Sequence, residues 1–186
     1  MVRQLTSRVN GLAMITYKAD FSTKLMVANG IVVSKVCYLI QLWGGCEGYL
    51  LHSLQVQLNR AARLVTGLSC FTSTRKLMEL CGWLTVKQLV VFQTTLMMHK
   101  TLQTSKPYYL NSRLNTDHDY RTRQQTGGCI RMDQTYRYTG DLPRNSFRCR
   151  GAKNYNAIPA YLRNTKNLNT FKYKLKNWIK LNISPE

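Results

Sequence analysis

Leu51, Leu54, Leu58, Ala61 and Val65 recur at steps of 3, 4, 3 and 4. Such spacing draws one apolar stripe along a helix, and Gly67 stands where a left-handed C-terminal cap belongs. Upstream, Leu25, Val27, Ile31, Val32, Val36, Leu39 and Ile40 predict a helix capped by Ser22 and ending at Gly44-Gly45. Its apolar positions run nearly all round, which predicts a place at the centre of a bundle. A short helix is expected over Arg75–Leu80, stopped by Gly82. After it comes a strong start signal. Thr85 and Gln88 form a capping box, and Leu84 and Leu89 hold the two positions of a hydrophobic staple. The helix that follows carries Leu89, Phe92, Leu96 and His99 and is expected to stop before Pro107. Residues 1–111 therefore read as a helical bundle.

The pattern then changes. Residues 112–127 are polar, with few apolar positions, and read as a linker. Within 128–186, Tyr136 and Tyr138 alternate with Arg137, and Phe147 and Cys149 alternate with Arg148 and Arg150. Period two predicts strands, and Gly140-Asp141-Leu142-Pro143 supplies turn residues for a hairpin. Asn154–Leu162 reads as a kinked turn or short helix around Pro159. A last helix is expected from Asn169 or Thr170, with Phe171, Leu175 and Trp178 on one face and Lys172, Lys176 and Lys180 on another. The expected fold is mainly α: a bundle, then a small basic α+β segment.

Charge sharpens this picture. The 186 residues hold 27 Lys plus Arg against 8 Asp plus Glu, a net charge of +19. Residues 1–100 carry 11 bases and 3 acids (+8), and residues 101–186 carry 16 bases and 5 acids (+11). So few acids cannot neutralise the surface, which points to a polyanionic partner, nucleic acid before an anionic membrane. Leu25–Trp43 is interrupted by Asn29, Ser34, Lys35 and Gln41, so no membrane span is expected. Arg3, Gln4, Arg8 and Asn10 break any signal-peptide core within residues 1–16. The expectation is an intracellular protein, with nothing to separate nucleus from cytoplasm. The six cysteines form no C-x-x-C pair and are expected to be reduced, with Cys37, Cys70, Cys81 and Cys149 as small core residues.

Catalytic chemistry finds little support. Two-metal nucleotidyl transfer needs converging carboxylates, yet Asp20 stands alone before Phe21 and Ser22 and reads as a helix-start residue. Asp117 and Asp119 fall in the polar linker. Cys46 with His52, and Cys70 with Cys81, do not fit zinc spacings, and no glycine-rich phosphate loop is present. His52, His99 and His118 have no triad-like neighbours. No catalytic site and no cofactor are expected. The remaining signal is bases interleaved with aromatics: Arg121 and Arg123 beside Tyr120, Arg137 between tyrosines, and Arg148 and Arg150 beside Phe147. That arrangement suits stacking beside phosphate contacts. Lys172, Lys176 and Lys180 add a row of charge at four-residue spacing.

Several segments, in order, resemble one family. They are "QLTSRVNGLAMI" (4–15), "KLMVANGIVVSKVCYLIQLWGG" (24–45), "LQVQLNRAARLVTGL" (54–68), "CGWLTVKQLVVFQTTLMMHKTL" (81–102) and "KPYYL" (106–110). "YRTRQQTGG" (120–128), "LPRNSFRCRGAKNYNAIPAYLR" (142–163) and "FKYKLKNWI" (171–179) continue the match. The chain resembles the thumb and C-terminal region that follow the palm in LINE-like (non-LTR) retrotransposon reverse transcriptases. The resemblance implies a parent RNA-directed DNA polymerase whose helical thumb grips a template–primer duplex by its backbone, and residues 4–15 would be the first thumb helix. The palm's aspartate pair, the fingers and the endonuclease have no counterpart, so the implied chain is a fragment or truncated copy without catalysis of its own. The family's recurrent "NRAAR" and "RTR" segments add Arg60 and Arg63 to the candidate nucleic-acid contacts and include Arg121 and Arg123. Two further expectations stand beside binding to RNA or DNA. One is an orphaned helical module that pairs with a missing polymerase domain or another copy. The other is peripheral membrane contact through the lysine row beside Phe171 and Trp178.

Overall fold

The computed structural model describes residues 1–15, 17–112, 114 and 146–184. Among these every regular element is helical: α1 (Val2–Ile15), α2 (Phe21–Ala28), α3 (Ser34–Cys37), α4 (Ile40–Trp43), α5 (Gly48–Thr66), α6 (Thr74–Cys81), α7 (Val86–Thr104), α8 (Tyr108–Asn111), α9 (Phe147–Ala157), α10 (Ala160–Arg163) and α11 (Leu168–Asn182). The mainly α class is as expected. No helix among the described residues is long and apolar enough to cross a membrane.

The chain divides into two compact units. The first comprises Met1–Ile40, Cys46–Leu89 and Ile183–Glu186, and the second Gln41–Gly45 and Val90–Asn182. α7 contributes its first turn to one and the rest to the other. The polar stretch 112–127 lies outside the described residues, apart from Ser112 and Leu114.

In the first unit α1 packs on α5, and α5 on α6. Leu5, Val9 and Leu12 on α1 and Leu58, Ala61 and Ala62 on α5 are wholly buried, with Leu54 and Val65 nearly so. The stripe read in the sequence is thus the core face of α5, and Gly67 closes it at φ 69°, donating its N–H to the Arg63 carbonyl at 2.8 Å. Gly82 closes α6 in the same way at φ 66°.

The stretch around Leu25–Trp43 departs from expectation. Asp20, not Ser22, caps α2: its carboxylate accepts the Ser22 and Thr23 N–H groups at 3.1 and 3.3 Å and the Thr23 hydroxyl at 2.6 Å. That hydroxyl, with the Thr23 N–H next, holds the Asp20 carboxyl below the usual range. The helix is not continuous. Asn29–Val33 forms a π-helical turn, and the chain breaks at Tyr38 and Leu39, where Leu39 takes φ 50°. It is not central either. Ala28, Val32, Val36 and Ile40 are buried at four-residue steps, while Met26, Tyr38, Leu39 and Leu42 are exposed. At the start of the π turn, Asn29 Oδ1 accepts the Trp83 indole N–H at 2.8 Å.

The start of α7 shows both halves of the expected capping box. The Thr85 N–H donates to Gln88 Oε1 at 3.1 Å, and the Gln88 N–H donates to the Thr85 hydroxyl oxygen at 3.3 Å. A neighbour completes the cap: Gln55 Oε1 on α5 accepts the Val86 N–H at 2.7 Å. Helix N-termini leave such donors without intrahelical partners, so a buried start needs them satisfied from outside.

The second unit is built on Met98, His99, Ile158, Leu162, Phe171, Leu175 and Ile179, all buried. Gly151 of α9 lies so close to α7 that a Cβ there would meet Met98 Cε at 2.8 Å. The expected hairpin fails on its second strand. Residues 147–150 begin α9, because Ser146 accepts the Cys149 N–H at 3.4 Å and starts a helix. The other half, Tyr136–Pro143, lies outside the described residues. Pro159 separates α9 from α10, as the kink there anticipated.

The cysteines split by environment. Cys81 is buried, and burial pushes its thiol up to about 11. Cys70, expected in the core, is exposed on the α5–α6 loop. At neutral pH a maleimide should therefore modify Cys70 in the folded protein and reach Cys81 only on unfolding. Peptide mapping of a timed labelling reaction checks this, and equal native rates would contradict the burial of Cys81.

Candidate nucleic-acid interface

α11 places three of the ten candidate residues in one row. Asn167 accepts the Asn169 and Thr170 N–H groups at 2.9 and 3.3 Å, which starts the helix. Phe171, Leu175 and Ile179 then recur at four-residue steps and are fully buried. Trp178, expected on that face, is only half-buried, and Ile179 takes its place. Lys172, Lys176 and Lys180 each follow a core residue by one position, about 100° around the helix. Their row therefore borders the buried stripe. Lys172 and Lys180 are exposed, and Lys176 is half-buried. Burial first, then the Lys180 and Lys172 charges, press the Lys176 ammonium below its ordinary pKa. A row of like charges at this spacing stores repulsion that a phosphate backbone would relieve.

The arginines behave differently. Arg60 is exposed on α5, while Arg63 is half-buried and donates from Nη2 to the Cys70 carbonyl at 3.1 Å. Arg150 donates from Nη2 to the Gln41 carbonyl at 2.5 Å, so at least one arm of its guanidinium serves the fold. Arg148 is half-buried in the first turn of α9. Arg121, Arg123 and Arg137 lie outside the described residues, as do Asp117, Asp119 and His118. Arg148, Arg150 and the three lysines belong to the second unit, and Arg60 and Arg63 to the first.

Two further groups were not marked by sequence reasoning. Lys174, between Lys172 and Lys176 in sequence but about 200° around the helix from each, is exposed on the other side of α11. His99, read as a helix position without triad-like neighbours, is buried in the second unit, stacked on Phe171 with ring centroids 3.7 Å apart. No sequence signal distinguishes a buried histidine from a solvated one when its partners lie more than fifty residues away. Among the described residues no three His, Cys, Asp or Glu side chains are grouped to hold a metal ion. Comparison with known proteins gave no matching family model, no matching curated protein and no matching solved structure.

Proposed function

We propose that this chain is a nucleic-acid-binding thumb and C-terminal piece of a retrotransposon RNA-directed DNA polymerase, without a catalytic site of its own. One observation carries the binding half of this reading. Residues 146–184 hold nine Lys plus Arg and no Asp or Glu, and α11 sets three of those bases in a row beside its core stripe. The helical architecture is consistent with a thumb, and the segment resemblance supplies the polymerase assignment. Binding would run chiefly through phosphates, with weak sequence preference.

Reversing Lys172, Lys176 and Lys180 to Glu together tests the interface. Affinity for RNA and DNA of any sequence should fall, and the log–log salt slope on duplex DNA should flatten by about 0.9 for each phosphate no longer neutralised. Helical circular dichroism should stay near wild type, because the buried stripe is untouched. An unchanged slope with an intact fold would remove α11 from the interface. Wild-type protein should also fail to extend a primer with Mg²⁺ or Mn²⁺, since phosphoryl transfer depends on positioned metals.

A second reading has its own observation. Met14, Ile15, Tyr17, Phe21 and Met26 in the first unit are all exposed. An orphaned module that completes its surface with a missing polymerase domain or another copy would expose such side chains. Concentration-dependent association in sedimentation velocity, abolished by changing Ile15 and Met26 to polar residues, would favour it.

A further inference from the structure

The loop from α5 to α6 carries at its tip Phe71, which is 94% exposed, more than any other large apolar side chain among the described residues. Scattered apolar side chains on a surface need no explanation, but the loop beneath this one is tied at several points. The Phe71 N–H donates to Ser69 Oγ at 3.3 Å, and the Thr72 N–H donates to the Ser69 carbonyl at 3.1 Å. The Cys70 carbonyl accepts from Arg63 Nη2 at 3.1 Å. Gly67 caps α5 on one side, and on the other Ser73 Oγ accepts the Lys76 N–H at 3.4 Å to cap α6. The ring thus stands on a backbone already ordered, and little conformational freedom remains to be surrendered on binding.

Its surroundings select the partner. Ser69, Cys70, Thr72 and Ser73 are small, so within the loop the ring is a single large projection. Residues 60–79 hold Arg60, Arg63, Arg75 and Lys76 against Glu79 alone, a net +3, and Glu79 is paired with Arg75 at 3.0 Å. An exposed aromatic ring on a loop between helices of net positive charge can stack on a base while basic residues such as Arg60 and Lys76 meet phosphates. We infer that the α5–α6 loop engages nucleic acid containing unpaired bases, with Phe71 stacking on one base. This rests on the nucleic-acid reading above and adds a substrate preference: single-stranded or frayed ends over closed duplex.

Anisotropy titrations of a labelled oligonucleotide single strand and the matching blunt duplex separate the outcomes. Phe71→Ala should weaken single-strand binding about tenfold, within what one stacked base contributes. Duplex affinity and the salt slope should not change, because every phosphate partner is kept. Phe71→Trp should bind as wild type, and its emission, taken as the difference from wild type, should be quenched by the strand. With Phe71 so exposed, circular dichroism and melting of both variants should match wild type. If wild type binds and Phe71→Ala binds both ligands equally well, the inference falls and the reading of the chain as a nucleic-acid binder stands. Equal losses on strand and duplex would also overturn stacking. If wild type binds neither ligand, both fall. A change confined to self-association would assign the ring to a protein interface and end the inference.

Discussion

Replacing His99 by alanine should destabilise the second unit by about 4 kcal/mol, and replacing it by phenylalanine by about 2 kcal/mol. The order follows from what each variant keeps. His99 is buried with both ring nitrogens engaged: Nε2 lies 3.0 Å from the Thr165 carbonyl and Nδ1 3.3 Å from the Tyr155 hydroxyl. A carbonyl only accepts, so Nε2 carries the hydrogen and Nδ1 of the neutral ring accepts from Tyr155. Phenylalanine preserves the stack on Phe171 but leaves the Thr165 carbonyl and the Tyr155 hydroxyl without this partner. Alanine loses the stack too and leaves a cavity.

The same site makes stability depend on pH. Burial lowers the His99 pKa, opposed only in part by the Thr165 carbonyl. The unfolded chain therefore takes up a proton that the folded one resists. The contribution is fully present above the ordinary histidine value of about 6.5 and declines as pH falls from there toward the lower folded-state value. The slope from this one group is at most about 1.4 kcal/mol per pH unit. Urea denaturation of wild type and His99→Phe across pH 7.5 to about 5 tests both claims. The variant should lose most of the dependence over that window. A variant as pH-sensitive as wild type would free His99 of this role.

Gln55→Leu should cost about 2 kcal/mol in the first unit, although leucine suits both a buried position and a helix. Gln55 sits on the core face of α5 yet is polar, and its amide is used at both ends. Oε1 accepts the Val86 N–H at 2.7 Å, and Nε2 donates to Asn59 Oδ1 at 2.8 Å, whose amide in turn donates to the Thr74 hydroxyl at 2.8 Å. Leucine would leave the Val86 N–H buried without this acceptor. Gln55→Glu should cost less, because it keeps the acceptor and brings negative charge to a helix N-terminus. Chemical denaturation of the pair gives the ranking. A leucine variant as stable as wild type would mean that the start of α7 finds water or another acceptor.

The sequence by itself determined the elements whose signals are local. The spacing of Leu54, Leu58, Ala61 and Val65 marked the core face of α5, and Gly67 and Gly82 marked the ends of α5 and α6. Thr85 and Gln88 announced their reciprocal hydrogen bonds, because a capping box closes within four residues. The phase of the lysine row on α11 was equally legible, since helical geometry alone relates it to Phe171 and Leu175. Tertiary structure decided the rest. The stretch that periodicity read as one helix carries a π turn, where Asn29 meets the indole of Trp83, fifty-four residues away, and it breaks at Tyr38 and Leu39. Phe147–Arg150 alternates like a strand but is helical, because the Ser146 cap and the fit of Gly151 over Met98 outweigh a four-residue pattern. Arg150, a candidate phosphate ligand by sequence, also donates to the Gln41 carbonyl, a partner 109 residues away that no local pattern announces. Periodicity reports which face of an element is apolar. Which polar groups that face must satisfy depends on what folds against it, and those partners are distant in sequence.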